Sequence, residues 1–242
     1  MILGVSTGVV AIVAATLVVG ATVQGVVGLG LGLVAAPIIA LLDPSLMPVL
    51  PLVLAVLLPA ITLIGEHDDI DWRGLAWALP ARIPGTYAGV ALLAVFSDRH
   101  IGIAVAVMVL IAVAVSLREF TVPVTAASLV TAGFVAGVSG TATSIGGPPI
   151  ALLYQHHRPR QIRTTLAVFF VVGALLSLAG LAIAGQVELR VLALAGALSP
   201  CLLVGVWLAS WLRGRVPEAG FRLGVLLVCA LSAVVLLLKS LA

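Results

Sequence analysis

Two glycine-rich stretches of this chain, each ending in a proline, have the composition of an anion-binding break in a helix. The stronger is GVSGTATSIGGPP at Gly137–Pro149, and the weaker is GVVGLGLGLVAAP at Gly25–Pro37. Glycine lets a ligand approach the backbone closely. Where a membrane helix unwinds, free N–H groups and a helix N-terminus can hold an anion. The sequence therefore predicts a binding site for a small anion at these two breaks.

One basic residue is expected to join this site. Arg82 stands well inside an apolar segment between Pro80 and Pro84, where a charge normally faces a cavity or a partner. The predicted substrate-binding residues are Gln24, Gly25, Gly28, Arg82, Gly137, Ser139, Gly140, Thr141, Thr143 and Ser144. The alternative is structural: small residues allow close helix packing, hydroxyls bond their own backbone, and the arginine snorkels to the surface.

A basic stretch follows the second break. His156, His157, Arg158 and Arg163 are interpreted as an access funnel that attracts anions, with a solvated, orientation-setting loop as the alternative. A second polar stretch has the composition of a metal site, with Glu66, His67, Asp68, Asp69 and Asp71. Its spacing matches no helical ligand pair, so we expect a solvated loop and no metal or other cofactor.

The composition is that of a membrane protein. Of 242 residues, 62% are hydrophobic and 9% charged, and the mean hydropathy is +1.32. A water-facing surface needs far more charge, whereas uncharged runs of about 20 residues suit a bilayer. We therefore predict an all-α polytopic membrane protein. The net charge of +3 is attributed to orientation-setting arginines, so lipid and a small anion are the expected partners and nucleic acid is not. A homo-oligomer is left open.

The two motifs lie about half the chain apart, which indicates two copies of one unit. Gly25 aligns with Gly137, and Gly28 aligns with Gly140. The predicted repeats are residues 1–119 and 120–242. Ten apolar segments are expected, at about 3–24, 28–42, 46–64, 75–96, 101–117, 122–138, 145–154, 164–184, 191–212 and 221–238. If the two short segments that follow the breaks re-enter the membrane without crossing it, eight spans remain.

Five segments per copy would invert the second copy in the membrane. With both chain ends outside, eight arginines face inward, as the positive-inside rule expects: Arg73, Arg118, Arg158, Arg160, Arg163, Arg213, Arg215 and Arg222. Three basic residues face outward, namely Arg99, Arg190 and Lys239. This distribution favours inverted repeats, and paired broken helices in two such halves are typical of a transporter's binding site.

At both breaks the chain resembles the TauE/SafE family of sulfite-exporter-like membrane permeases. Members share a duplicated glycine-rich motif ending in proline, here at Gly25–Pro37 and Gly137–Pro149. The resemblance covers essentially the whole chain. It implies a multi-pass protein that exports sulfite or a small organosulfonate, such as sulfoacetate, across the cytoplasmic membrane. It does not fix which anion is carried.

Other functions are also considered. Gly137–Gly140 has the G-x-S-G form of rhomboid-like intramembrane serine proteases, with Ser139 as nucleophile. That chemistry needs a base histidine on a neighbouring span, and all four histidines are expected in or beside loops. A channel or carrier for another anion or solute is the second alternative, and a scaffold is the third. No carboxylate is expected in mid-span, so a proton relay is not predicted.

Overall fold

Among the residues that the structure describes, the chain forms helices and no strands. The computed structural model describes residues 3–28, 30–117, 122–212, 215 and 218–241, with the backbone alone for 218–222. The helices are α1 (Thr7–Val27), α2 (Leu31–Leu42), α3 (Val49–Gly65), α4 (Trp72–Val95), α5 (Asp98–Leu117), α6 (Ala126–Thr143), α7 (Gly147–Tyr154), α8 (Pro159–Ile183), α9 (Leu189–Leu198), α10 (Pro200–Leu212) and α11 (Glu218–Leu241). A short 3₁₀ turn at Pro44–Leu46 joins α2 to α3.

Seven apolar helical stretches in the described part of the chain are long enough to cross a membrane. Six belong to single helices. The seventh, Leu189–Leu212, combines α9 and α10 across a bend at Ser199, where Pro200 has no N–H to continue the hydrogen-bond ladder. Helices α2 and α7, which follow the two breaks, have 12 and 8 residues. The prediction of an all-α polytopic membrane protein is confirmed.

Side-chain contacts define two ends of the helix bundle. At one end, which we call the arginine-rich end, Arg163 pairs with Glu66 and Arg160 with Asp68. The Tyr154 hydroxyl also donates a 2.7 Å hydrogen bond to Asp71 there. At the opposite end, basic side chains tie distant segments together: Lys239 donates to the Leu41 carbonyl at 2.7 Å, Arg99 to the Leu241 carbonyl at 3.0 Å, and Arg190 to the Ser45 hydroxyl at 3.3 Å.

Glycines bring two pairs of helices into backbone contact. Helices α4 and α6 pack so closely that a Cβ on Gly137 would lie 2.5 Å from the Arg82 carbonyl oxygen. Helices α1 and α10 pack in the same way, and a Cβ on Gly205 would lie 2.8 Å from the Val18 carbonyl oxygen. Two inverted copies would place α1 beside α10 just as they place α6 beside α4. The division at residues 119 and 120 stays a prediction, and Arg118, Glu119 and Arg213 lie outside the described residues.

The second break does not begin where the sequence predicts. Segment six is expected to end at Val138, but α6 continues to Thr143 and ends at Ser144, which has a left-handed backbone with φ of 62°. The helix continues because Gly133 and Gly137 form part of the surface that packs against α4. The unwound residues are therefore 144–146.

Two further predicted boundaries are wrong. Helix α1 continues through Gly25 to Val27, so the first break starts at Gly28 and not before it. The stretch after the second break is mostly helical, because Pro159 starts α8, and proline is favoured in the first turn of a helix. Arg160 and Arg163 therefore stand on α8, and Arg158 is its N-cap residue.

Candidate functional site

The two breaks touch each other at the centre of the protein. At the first break Gly28 and Gly30 have φ of 90° and 151°, which glycine adopts without the strain that other residues incur. At the start of α2, Gly32 faces the second break, where a Cβ would lie 2.6 Å from the Ser144 carbonyl oxygen. The Ser144 hydroxyl donates to the Pro48 carbonyl at 2.8 Å, which fixes the second break against the start of α3.

Each break exposes the N-terminal end of a short helix. The first-turn N–H groups of a helix have no partner within the helix. In α2 one of them, the Leu31 N–H, donates to Gln24 Oε1 at 3.1 Å. In α7 the first residue is Gly147, and no side chain caps this helix. The positive ends of both helix dipoles thus lie at the contact between the breaks.

Arg82 reaches this contact from α4. Its side chain is 3% exposed, and its Nε and Nη1 atoms have no hydrogen-bond partner in the described protein. The guanidinium carbon lies 4.7 Å from the centre of the Phe169 ring, and Nη2 lies beside Gly140 and Gly146. The Phe169 ring stabilises this charge in part, but a buried charge without an acidic partner is unfavourable in a membrane protein, so this arrangement suits a bound anion.

Two residues of α8 that are absent from the predicted site position Arg82. Phe169 provides the ring beneath the guanidinium. Gly173 provides the space beside it, because a Cβ there would overlap the Nε, Cζ and Nη1 atoms of Arg82. A phenylalanine and a glycine in an apolar span carry no signal of their own, and the contact joins residues far apart in the sequence.

A central cavity of about 60 Å³ lies between the breaks. About 10–15 Å³ of the same kind of space holds one water molecule, so several waters or a small oxyanion fit. The two breaks, Arg82 and Gln24 form its polar lining, while Leu52, Ala55 and Pro59 of α3 and Phe170 and Ala174 of α8 contribute an apolar wall.

A second, smaller cavity of about 20 Å³ continues towards the arginine-rich end. It shares Gln24, Pro59 and Phe170 with the central cavity, and Arg163 lines its other end. Arg163 donates to Glu66 Oε2 from Nε at 3.0 Å and from Nη2 at 2.8 Å. The two cavities therefore lie next to each other between Arg163 and Arg82.

The sequence-predicted site residues divide into three groups in the structure. Gln24, Arg82, Gly140 and Ser144 line the central cavity. Gly25 and Gly28 line the second cavity together with Gln24. The rest lie within α6 and bond elsewhere: Ser139 donates to the Val135 carbonyl, Thr143 donates to the Ser139 carbonyl, the Thr141 hydroxyl is 2.8 Å from that of Ser177, and Gly137 packs on the Arg82 backbone.

The predicted access residues lie at the arginine-rich end without forming one cluster. His156 and Arg158 are exposed. His157 is half-buried against the Tyr154 ring, with 5.1 Å between ring centres. Arg163 lines the second cavity, and its charge is already paired with Glu66. In the predicted metal-like stretch, Glu66 and Asp68 are likewise paired with arginines.

Hydroxyl groups line the helix interface beside Arg82. Ser177 is bonded to Thr141 at 2.8 Å and donates to the Gly173 carbonyl at 3.0 Å. Thr86 lies four residues after Arg82 on α4, and its hydroxyl is buried with no hydrogen-bond partner in the described protein. These three hydroxyls belong to the packed interface of α4, α6 and α8, and none of them lines the central cavity.

Comparison with known proteins identifies the family. No curated protein and no solved structure gives a significant match to the chain. The model of the family described as "Sulfite exporter TauE/SafE" matches residues 12–236, which is nearly the whole chain and includes both breaks and Arg82. The resemblance noted at the glycine-rich motifs is therefore confirmed, and the chain belongs to the TauE/SafE sulfite exporter family of membrane transporters.

Proposed function

We propose that this protein exports a small sulfur-containing anion, sulfite or a small organosulfonate, across the cytoplasmic membrane by alternating access. The observation that carries the proposal is the buried Arg82 guanidinium, which has two nitrogens without a protein partner and lies where two broken helices meet. A hydrogen bond between an arginine and an anion is charge-assisted and is among the stronger ones in proteins.

The anion reaches Arg82 from the arginine-rich end. It passes Arg163 and Gln24 along the second cavity and enters the central cavity. There Arg82 donates from Nη2, the guanidinium nitrogen beside Gly140 and Gly146 of the cavity lining, and the N-termini of α2 and α7 add their dipoles. Gln24 contributes its amide nitrogen, since its oxygen already accepts from the Leu31 N–H.

Release follows when the other face of the site opens. Each break belongs to one predicted half of the protein, and the anion lies between them. A relative rocking of the halves would separate the breaks on the side away from Arg163, as in other transporters with inverted repeats and broken helices. The glycine contacts of α4 with α6 and of α1 with α10 each join one half to the other, so they are the surfaces about which the halves would rock.

Ligand binding to the purified protein tests the proposal. We expect sulfite or a small sulfonate to raise the melting temperature in detergent, since a ligand at about 100 times its Kd stabilises the folded state by about 2.7 kcal/mol. Arg82→Gln should abolish this shift. The matched control is Arg73→Gln, which removes an exposed arginine from the first turn of the same helix.

Two results would contradict the proposal. One is a wild-type protein that melts at the same temperature with and without every sulfur anion tested. The other is an Arg82→Gln variant that responds to the anion as the wild type does. A lost response to the anion in Arg82→Gln does not reflect a loss of folding. Removing an unpaired buried charge should leave the ligand-free variant at least as stable as the wild type. Efflux of the bound anion from proteoliposomes then tests transport itself.

A further inference from the structure

The central cavity has the charge of a single arginine. Arg82 is the one charged side chain among the described residues that line it. Arg163, at the far end of the second cavity, is neutralised by Glu66 through two hydrogen bonds, and both side chains are 26% exposed. The binding site therefore presents one net positive charge to a ligand.

The lining also combines two chemically different groups of residues. Arg82, Gln24 and the two breaks supply hydrogen-bond donors. Leu52, Ala55 and Pro59 of α3 and Phe170 and Ala174 of α8 form the apolar wall described above. This wall offers no donor to an oxygen atom and no counter-charge.

These two features discriminate between anions. A monovalent anion neutralises Arg82, whereas a divalent anion leaves one negative charge uncompensated in a site whose lining is largely apolar. An anion with oxygens on all sides also leaves some of them against the apolar wall, where buried acceptors without a donor are unfavourable. A monovalent anion whose oxygens are confined to one face meets neither problem.

We propose that the site takes a monovalent anion with one oxyanion face and one apolar face, and that short-chain alkanesulfonates are its preferred substrate class. The sulfonate oxygens face Arg82 and the breaks, and the alkyl group lies against the α3–α8 wall. This inference rests on the proposed function as an anion transporter, and it narrows the substrate to one charge state and one shape.

Three ligands of similar size test charge and shape separately. Ethanesulfonate carries one charge and an apolar end, 2-hydroxyethanesulfonate carries one charge and a polar end, and sulfoacetate carries a second charge. We measure their dissociation constants with the full chain in detergent by isothermal titration. Ethanesulfonate should bind roughly tenfold more tightly than sulfoacetate, the difference expected from one unfavourable charge or hydrogen-bonding group. It should also bind several-fold more tightly than 2-hydroxyethanesulfonate.

A charge-adding variant sharpens the test. Gln24 lines both cavities, so Gln24→Lys adds a second positive charge to the route. In this variant the preference should shift towards sulfoacetate. If Gln24→Lys does not fold, the comparison of the three ligands on the wild-type protein tests the proposal by itself.

The outcomes separate this inference from the proposed function. If sulfoacetate binds as tightly as ethanesulfonate and both require Arg82, the anion site stands and the monovalent preference is overturned. If 2-hydroxyethanesulfonate matches ethanesulfonate, the role of the apolar wall is overturned. If no anion binds at all, both the inference and the proposed function fail.

Discussion

The substitution Gly173→Ala changes the position of the Arg82 guanidinium and leaves its charge unchanged. A Cβ at residue 173 would overlap the Nε, Cζ and Nη1 atoms of Arg82, and ordinary contact between such atoms begins near 3.4 Å. The guanidinium must therefore move by about 1 Å or more, because the α8 backbone is held by its helix and Arg82 is a long side chain. The residue keeps its charge, but it no longer meets the anion at hydrogen-bond distance.

The expected loss follows from the strength of that contact. A hydrogen bond to a charged group contributes about 1.5–3 kcal/mol, so losing one raises the Kd for the anion roughly 10- to 150-fold. Isothermal titration of the purified variant measures this directly. The matched control is Gly196→Ala in α9, where a Cβ meets no atom within 4 Å, and its affinity should equal that of the wild type.

A Gly173→Ala protein that folds and binds the anion as tightly as the wild type would refute the reasoning. It would mean that the position of the Arg82 guanidinium beside α8 has no part in binding. Size-exclusion chromatography and the ligand-free melting temperature establish that the variant is folded before its affinity is compared.

Two further predictions concern the surroundings of this site. Thr86→Val should raise the free energy of unfolding by about 1 kcal/mol, because it removes a buried hydroxyl that has no hydrogen-bond partner. Thr141→Val should lower the free energy of unfolding by about 0.6 kcal/mol, because the hydrogen bond to Ser177 is lost. Unfolding of both variants in mixed micelles checks this, and equal shifts of the same sign would contradict it. Glu66→Gln should speed anion uptake into proteoliposomes several-fold at low ionic strength, since it leaves the charge of Arg163 unpaired beside the second cavity. High salt should remove this acceleration of uptake. The control variant is Asp68→Asn, because its partner Arg160 lines neither cavity. An equal effect of both variants on uptake would count against the route past Arg163.

The sequence was enough to predict a helical membrane protein. In lipid the backbone must satisfy its own hydrogen bonds, and uncharged runs of about 20 residues have the length at which a helix crosses the bilayer. The approximate position of both breaks was also predictable, but their exact residues were not. Glycine serves close helix packing as well as unwinding, and Gly137 packs against α4 while Gly28 ends α1 with a positive φ. The residue type is the same in both roles, and the difference appears once the neighbouring helix is known.

Residues of the candidate site could be predicted where the side chain is charged and therefore unfavourable in lipid. They could not be predicted where the side chain is apolar, as most side chains of a membrane helix are. Arg82 could be singled out because a buried charge needs an explanation. Phe169 and Gly173 could not, because apolar residues of α8 look alike until the fold brings them to Arg82. The same holds for Thr141, whose hydroxyl was predicted in the site and bonds Ser177 instead. Its partner lies on a helix that no local pattern connects to it.

If Arg82 binds a monovalent anion as proposed, the empty transporter is the electrically charged form of the protein. Once a monovalent anion is bound, Arg82 and its ligand sum to zero, so the loaded site crosses the membrane field without electrical work. The empty site carries a positive charge, and each unit charge is worth about 2.3 kcal/mol per 100 mV of membrane potential. If the arginine-rich end faces the cytoplasm, as the positive-inside rule predicts, a negative interior draws the empty site back to the side where Arg163 lies. Voltage would then act on the return step of the cycle, and export could proceed without a coupled ion.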